Sequence, residues 1–133
     1  MDTLIFTICD SAQEYNGKLV IVGAFNEIAV PFFPAKHPEM TIVVRTIIEN
    51  EDKDGHDVEI SAFKADTGNE ALFPHLRTRL ETKGNIGKTV YSNVILRTNN
   101  VLIPEPGKYI IRFSMDGTTK EIPFLVNRSE NQV

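Results

Sequence analysis

The sequence predicts an all-β chain, an antiparallel two-sheet β-sandwich of about seven to nine strands. Three observations carry that reading. Apolar residues alternate with polar ones in short runs from one end of the chain to the other, the two-residue period of a strand. Turn residues interrupt those runs at intervals of roughly 10 to 20 residues, and no convincing amphipathic helix lies between them. A parallel sheet, with its alternation of strands and helices, is disfavoured by that pattern.

The least ambiguous stretch is Pro104 to Val126. Pro104, Pro106 and Gly107 stop what precedes them. Tyr109, Ile111, Phe113 and Met115 then alternate with Ile110, Arg112 and Ser114. Asp116-Gly117 supplies the positive φ angles of a tight turn, and Ile122, Phe124 and Val126 return as a second strand. Earlier in the chain, Thr3 to Cys9 is apolar on nearly both faces, which suits a strand inside a sheet or under an oligomer contact. Asp10 to Lys18 holds turn residues around Asn16-Gly17, and Leu19 to Val30 reads as one strand bent at Gly23. Pro31 to Pro38 is expected to cross between sheets, with Phe32 and Phe33 plugging the edge of the core.

Met40 to Ile48, rich in β-branched residues, is a third strand, followed by an acidic turn from Glu49 to Asp57. His56 to Ala65 is a half-exposed strand ended by Asp66-Thr67-Gly68-Asn69. Between residues 70 and 82, Leu72, Phe73, Leu76 and Leu80 fit a helical spacing almost as well as a broken strand, and a strand over Leu76 to Leu80 is preferred. Gly84 to Lys88 is a loop. Val90, Ser92, Val94 and Leu96 begin a strand that is expected to run out at Thr98-Asn99-Asn100. One domain, residues 1–126, and a frayed tail, residues 127–133, account for the chain.

Composition excludes several classes of function. Net charge is −4, and the basic residues are scattered singly or in pairs such as Arg77 and Arg79, so nucleic acid is not an expected partner. No apolar run approaches the length of a membrane-spanning helix. The single cysteine, Cys9, rules out an intrachain disulfide, and Met1-Asp2 followed by a short broken apolar run does not look like a secretory leader. A cytoplasmic protein is the expectation.

Pro106-Gly107-Lys108-Tyr109 before an alternating strand resembles the turn into the penultimate strand of immunoglobulin-like and fibronectin-like sandwiches. There a tyrosine at the strand start tucks its hydroxyl onto upstream backbone. The resemblance implies that Pro106, Gly107 and Tyr109 form a structural corner of an immunoglobulin-like fold, although the cysteine pair and core tryptophan of antibody domains are absent. Phe6-Thr7-Ile8-Cys9-Asp10, Tyr15-Asn16-Gly17-Lys18, Val22-Gly23 and the closing Pro-Gly-x-Tyr hairpin together resemble a family of small uncharacterised bacterial proteins, a domain of unknown function. That likeness implies the sandwich and no activity.

Candidate chemistry is sparse. Asn50-Glu51-Asp52-Lys53-Asp54-Gly55 matches the first half of a calcium loop, but the twelfth position is Ser61 where a bidentate Glu is needed, and strands flank it. Asp52, Asp54 and Asp57 are the candidate carboxylates for a cation. A solvated acidic turn without a metal is the preferred reading. Gly84-Asn85-Ile86-Gly87-Lys88-Thr89 echoes a phosphate-binding loop, but Thr82 stands where its first glycine belongs and a strand follows, so it reads as a turn. Cys9, Asp10, His37, His56 and His75 include the residue types of a nucleophile, base and orienter, with nothing in their spacing to join them. The histidines lack chelating intervals, and no second cysteine offers a zinc ligand. Arg45, Arg77, Arg79, Arg97 and Arg112 fall on outward positions, where pairing with Glu59, Glu81 or Glu121 across strands is preferred over an anion-binding face. Asn127-Arg128-Ser129 matches a glycosylation acceptor by chance.

Two functions follow. The first is a non-catalytic binding module without a cofactor, meeting another protein or itself, a homodimer included, with Phe32, Phe33, Arg77 and Arg79 as the interaction surface. The alternative is a small hydrolase or isomerase on a sandwich scaffold that uses loop histidines, a reading that needs His37, His75 and Cys9 to converge. Enzymes resembling transthyretin are the precedent, yet the chain ends Asn131-Gln132-Val133 and lacks their terminal Tyr-Arg-Gly-Ser.

Overall fold

The computed structural model describes residues 1–130. Nine strands and no helix lie within them: β1 (Asp2–Tyr15), β2 (Lys18–Phe25), β3 (Glu27–Val30), β4 (Ala35–Ile48), β5 (Gly55–Lys64), β6 (Leu76–Glu81), β7 (Val90–Ile103), β8 (Gly107–Met115) and β9 (Thr118–Arg128). Four strands form one sheet in the order β2-β1-β4-β7, and five form the other in the order β3-β9-β8-β5-β6. The five-stranded sheet curls into a half-barrel.

Local turn chemistry sets the two tightest hairpins. Tyr15 pairs with Lys18 around Asn16-Gly17, and Met115 pairs with Thr118 around Asp116-Gly117. In both turns the two central residues have positive φ, which matches the right-handed twist of the flanking strands. Gly107 opens β8 at φ +135°, where a Cβ would stand 2.9 Å from Cε and Nζ of Lys64. A side chain is strained at that angle, and its Cβ would also displace the end of Lys64.

Several boundaries depart from the sequence-based expectations. Leu19 to Val30 is two strands, because the chain bends at Asn26 and changes sheets. Asn26 accepts a backbone hydrogen bond from Leu125, and β3 then runs parallel to β9. The fold is therefore not wholly antiparallel: β3 arrives beside β9 by crossing over, not by a hairpin. The crossing from β3 to β4 takes only residues 31–34, and Pro38 sits inside β4. It is tolerated there because β1 accompanies β4 only as far as Cys9 opposite Thr41, leaving β7 as the sole neighbour. β7 continues through Asn100, at φ 51°, to Ile103. Leu76 to Glu81 is strand. β9 includes Asn127 and Arg128, paired with Ala29 and Val30, and residues 131–133 of the expected tail lie outside the described residues.

One core joins the two sheets. Ile8, Met40, Ile42 and Val44 of the first meet Ile60, Ile111, Phe113 and Phe124 of the second, all without exposure. Phe6 meets Phe113 edge-on with centroids 6.2 Å apart, and Phe25 meets Phe124 at 6.1 Å, so two aromatic pairs bridge the sheets. A second, smaller core lies on the far face of the first sheet. There the β1–β2 hairpin folds back so that Ala12, Leu19 and Ile21 cover Val43 and Ile95. Arg97 Nη2 donates to the Ala12 carbonyl at 2.9 Å and ties the arm down.

Buried Tyr109 anchors the turn into β8, its hydroxyl donating to the Glu105 carbonyl at 2.6 Å. Lys64 lies over its ring, 5.7 Å from the centroid, and pairs with Glu105 and Asp66 at 3.1 and 3.2 Å. Tyr109→Phe is expected to cost about 1 kcal/mol by removing that hydrogen bond. Urea unfolding would show it as a lower midpoint at unchanged slope; an unmoved midpoint would mean that the hydroxyl carries no stability.

Candidate functional site

The acidic connection between β4 and β5 is built around a buried carboxylate. Glu51 is 1% exposed, although it sits in a run of charges. Its backbone N–H donates to Lys88 at 3.0 Å and its carbonyl accepts from Gly87 at 2.7 Å, so the loop is docked on the Gly84–Lys88 turn. Its Oε1 accepts the Lys53 N–H at 2.9 Å, and its Oε2 lies 2.7 Å from Nε2 of His56. The other imidazole nitrogen of His56, Nδ1, lies 2.5 Å from Oδ2 of Asp116. Asp116 Oδ1 accepts the Asp57 N–H at 3.0 Å, and Lys53 stands 3.4 Å from its other oxygen.

Charge follows from this geometry. Burial is the strongest influence on His56 and works against its cation, but hydrogen bonds and attraction from Glu51 and Asp116 outweigh it and raise the pKa above the usual histidine value. Burial likewise opposes the Glu51 and Asp116 anions and is outweighed, chiefly by His56, so both are held below the ordinary carboxylate range. An imidazolium with both N–H groups donated to carboxylates has no lone pair for a proton or a metal. A polar hollow of about 280 Å³ adjoins it, lined in part by Glu49, Asp52 and Thr118. The cluster is a staple that ties the β8–β9 turn and the start of β5 to the acidic loop.

The other sequence candidates are dispersed. Cys9 is buried in the small second core, its thiol donating to the Ser11 carbonyl at 3.3 Å, and burial with help from Asp10 raises its pKa, so it stays a neutral thiol. His37 packs on Phe25 with centroids 5.7 Å apart, and His75 faces Glu59 at 3.5 Å on the opposite sheet. Neither the hollow beside His56 nor the cleft beside Phe6 and Phe25 is lined by Cys9, His37 or His75. Asp52 and Asp54 are exposed, and Asp57 faces Arg79 at 3.7 Å. Among the described residues no three His, Cys, Asp or Glu side chains are grouped so as to hold a metal ion. Arg45 and Arg97 lie on one sheet and Arg77, Arg79 and Arg112 on the other, so the five arginines make no common face. Arg77 pairs with Glu59 at 3.2 Å, Arg79 with Glu81 at 2.9 Å and Arg112 with Glu121 at 2.7 Å. Phe32 is 62% exposed, whereas Phe33 packs against the core beneath Arg128.

A second feature went unread in the sequence. A cleft of about 380 Å³ opens between the sheets, lined by Phe6, Thr7, Ala24, Phe25, Ile122 and Pro123 among others. Its walls are strands with free edges. β2 pairs with β1 only from Ile8 onward, so among the described residues no strand is paired with Asp2–Thr7 on that side. β3 covers β9 only from Leu125, so Thr118–Phe124 are equally bare.

With the fold and these two features in place, comparison with known proteins is informative about lineage alone. A model of a family of unknown function, DUF6941, matches residues 4–127. The chain belongs to this family. No curated protein and no solved structure matches the chain. Membership in DUF6941 brings no activity to test the site against. No helix among the described residues is long and apolar enough to cross a membrane.

The staple makes a two-sided pH profile. His56 has a raised folded-state pKa, so its stabilisation is complete below about 6.5 and is lost as pH rises through the folded value. Glu51 and Asp116 have lowered values, so theirs is complete above about 4.3 and is lost as pH falls through the folded values. His56→Ala is expected to cost about 3 kcal/mol or more by stranding the Glu51 charge, and to abolish the alkaline decline. Denaturant melts from pH 4 to 9 on both proteins would check this; a wild type with flat stability above neutrality contradicts it.

Proposed function

We propose that this DUF6941 chain is a non-catalytic protein-interaction module, an immunoglobulin-like sandwich acting in the cytoplasm, whose cleft takes up an extended apolar segment of a partner protein. The carrying observation is the cleft between β1 and β9, where apolar side chains lie beside an unpaired backbone edge. An extended peptide satisfies both at once, its main chain continuing the ladder on Asp2–Thr7 and its alternate side chains meeting Phe6, Phe25 and Ile122. Pro123 lacks an N–H to offer, which suits β9 to the role of apolar wall and leaves the ladder to β1.

The Tyr109 hydroxyl on the Glu105 carbonyl and the core shared by both sheets support the immunoglobulin-like reading. A neutral, buried Cys9 is compatible with a reducing compartment. Phe32 offers a further apolar contact, while Phe33, Arg77 and Arg79 are engaged within the chain and stay outside the proposed surface.

A phage-displayed library of short random peptides supplies the test. Enriched sequences are expected to alternate apolar residues and to lose about tenfold or more in affinity for Ala24→Arg, which fills the exposed mouth of the cleft, in line with a lost apolar anchor of about 1.4 kcal/mol or more. No enrichment, or peptides that bind the variant as well as the parent, would refute the reading.

A further inference from the structure

We propose that the arm of the β1–β2 hairpin, residues 10–22, is a hinged cover that opens as a unit from the outer face of the first sheet and uncovers Cys9, Thr41, Val43 and Ile95. The ladder between β1 and β4 ends at Cys9 opposite Thr41. Beyond it β1 pairs with β2, and among the described residues no other strand is laddered to residues 10–22. A two-stranded hairpin has little stability of its own, so the arm stays down by what its side chains and carbonyls touch.

Those contacts are light. Ala12, Leu19 and Ile21 supply the apolar ones, against Val43 and Ile95. Near the base of the arm Arg97 Nη2 donates to the Ala12 carbonyl at 2.9 Å. At the tip the Gly17 carbonyl receives long contacts, 3.4 Å from Nη1 of Arg45 and 3.5 Å from Nδ2 of Asn93. The Arg45 guanidinium is held more firmly elsewhere, by Asn93 Oδ1 at 2.7 Å and over the Tyr91 ring at 5.3 Å. A hinge lies where the arm leaves the sheet. The register passes from Cys9 opposite Ala24 to Ser11 opposite Val22 and skips Asp10 and Gly23. Gly23 stands there at φ +67°, and glycine changes its backbone angles at lower cost than other residues.

What lies beneath the arm favours its opening. Thr41 and Val43 alternate to the same face of β4, and Thr41 stands between Cys9 and Arg97 of the neighbouring strands. Its hydroxyl is fully buried and has no hydrogen-bond partner among the described residues. Closed, the arm keeps water from that hydroxyl. Open, it lets water satisfy the group, which recovers the cost of leaving it unpaired and narrows the gap between the two states. The cleft between β1 and β9 need not be occupied for the arm to move.

Alkylation by iodoacetamide reads the opening, because Cys9 is the chain's single cysteine and is buried while the arm is down. In urea too dilute to unfold the chain, the labelling rate of the full chain is expected to stay nearly flat, since lifting the arm exposes little surface and global unfolding exposes much. Arg97→Ala is expected to speed labelling about tenfold or more, and Thr41→Val to slow it about fivefold or more. Hydrogen exchange on the wild type serves should a variant fail to fold: the laddered amides of residues 11–22 are expected to exchange together and ahead of amides 41–44. Labelling that climbs along the full slope of global unfolding overturns the proposal. So does a rate that Arg97→Ala does not raise or Thr41→Val does not lower, or arm amides as slow as those of β4.

Discussion

The structure depends on one requirement: each sheet has an apolar face that only the other sheet can cover. Ile42 and Val44 are buried because Ile60, Ile111 and Phe113 lie over them, and the reverse holds equally. The aromatic pairs Phe6–Phe113 and Phe25–Phe124 span the gap and hold the layers together near the side where they part. Their position makes the cleft. Beyond those rings neither β2 nor β3 continues, so the apolar interior reaches the surface between two bare strand edges.

A different interaction closes the hollow that contains His56. Glu51, His56 and Asp116 come from a loop, the start of a strand and a hairpin turn, and their hydrogen bonds join three segments by charge-assisted contacts, not by an apolar face. Such a set resembles an acid–base centre in its residue types. Its geometry is that of a clamp, since both ring nitrogens are committed to carboxylates and Lys53 neutralises the outer one. The same residue types with one nitrogen free would be a candidate for general base catalysis. Hydrogen-bond occupancy separates the two roles here.

The turns were legible because their chemistry is local. Asn16-Gly17 and Asp116-Gly117 sit at the tips of two-residue hairpins, where positive φ angles are needed and these residues adopt them at little cost. Leu19 to Val30 was not legible in the same way. Asn26-Glu27 interrupts its apolar run, and the inward positions pass from Leu19, Ile21 and Phe25 to Ile28 and Val30, but only the ladder on β9 shows that the chain changes sheets there. Glu51 was hidden for a related reason: in an acidic run every carboxylate looks solvated until its partner is known. Asp116 was read as a turn residue, which it is, and its second role depends on a histidine 60 positions away.

By itself the sequence determined that this chain is β structure, where most of its strands lie and how the Asn16-Gly17 and Asp116-Gly117 hairpins close, since periodicity and turn preference are properties of residues adjacent in the chain. The tertiary structure alone decided which edges stay bare, which carboxylates are buried and which residues line the cleft. Those outcomes depend on strand order and register, which bring together residues distant in sequence and carry no signature within a short window.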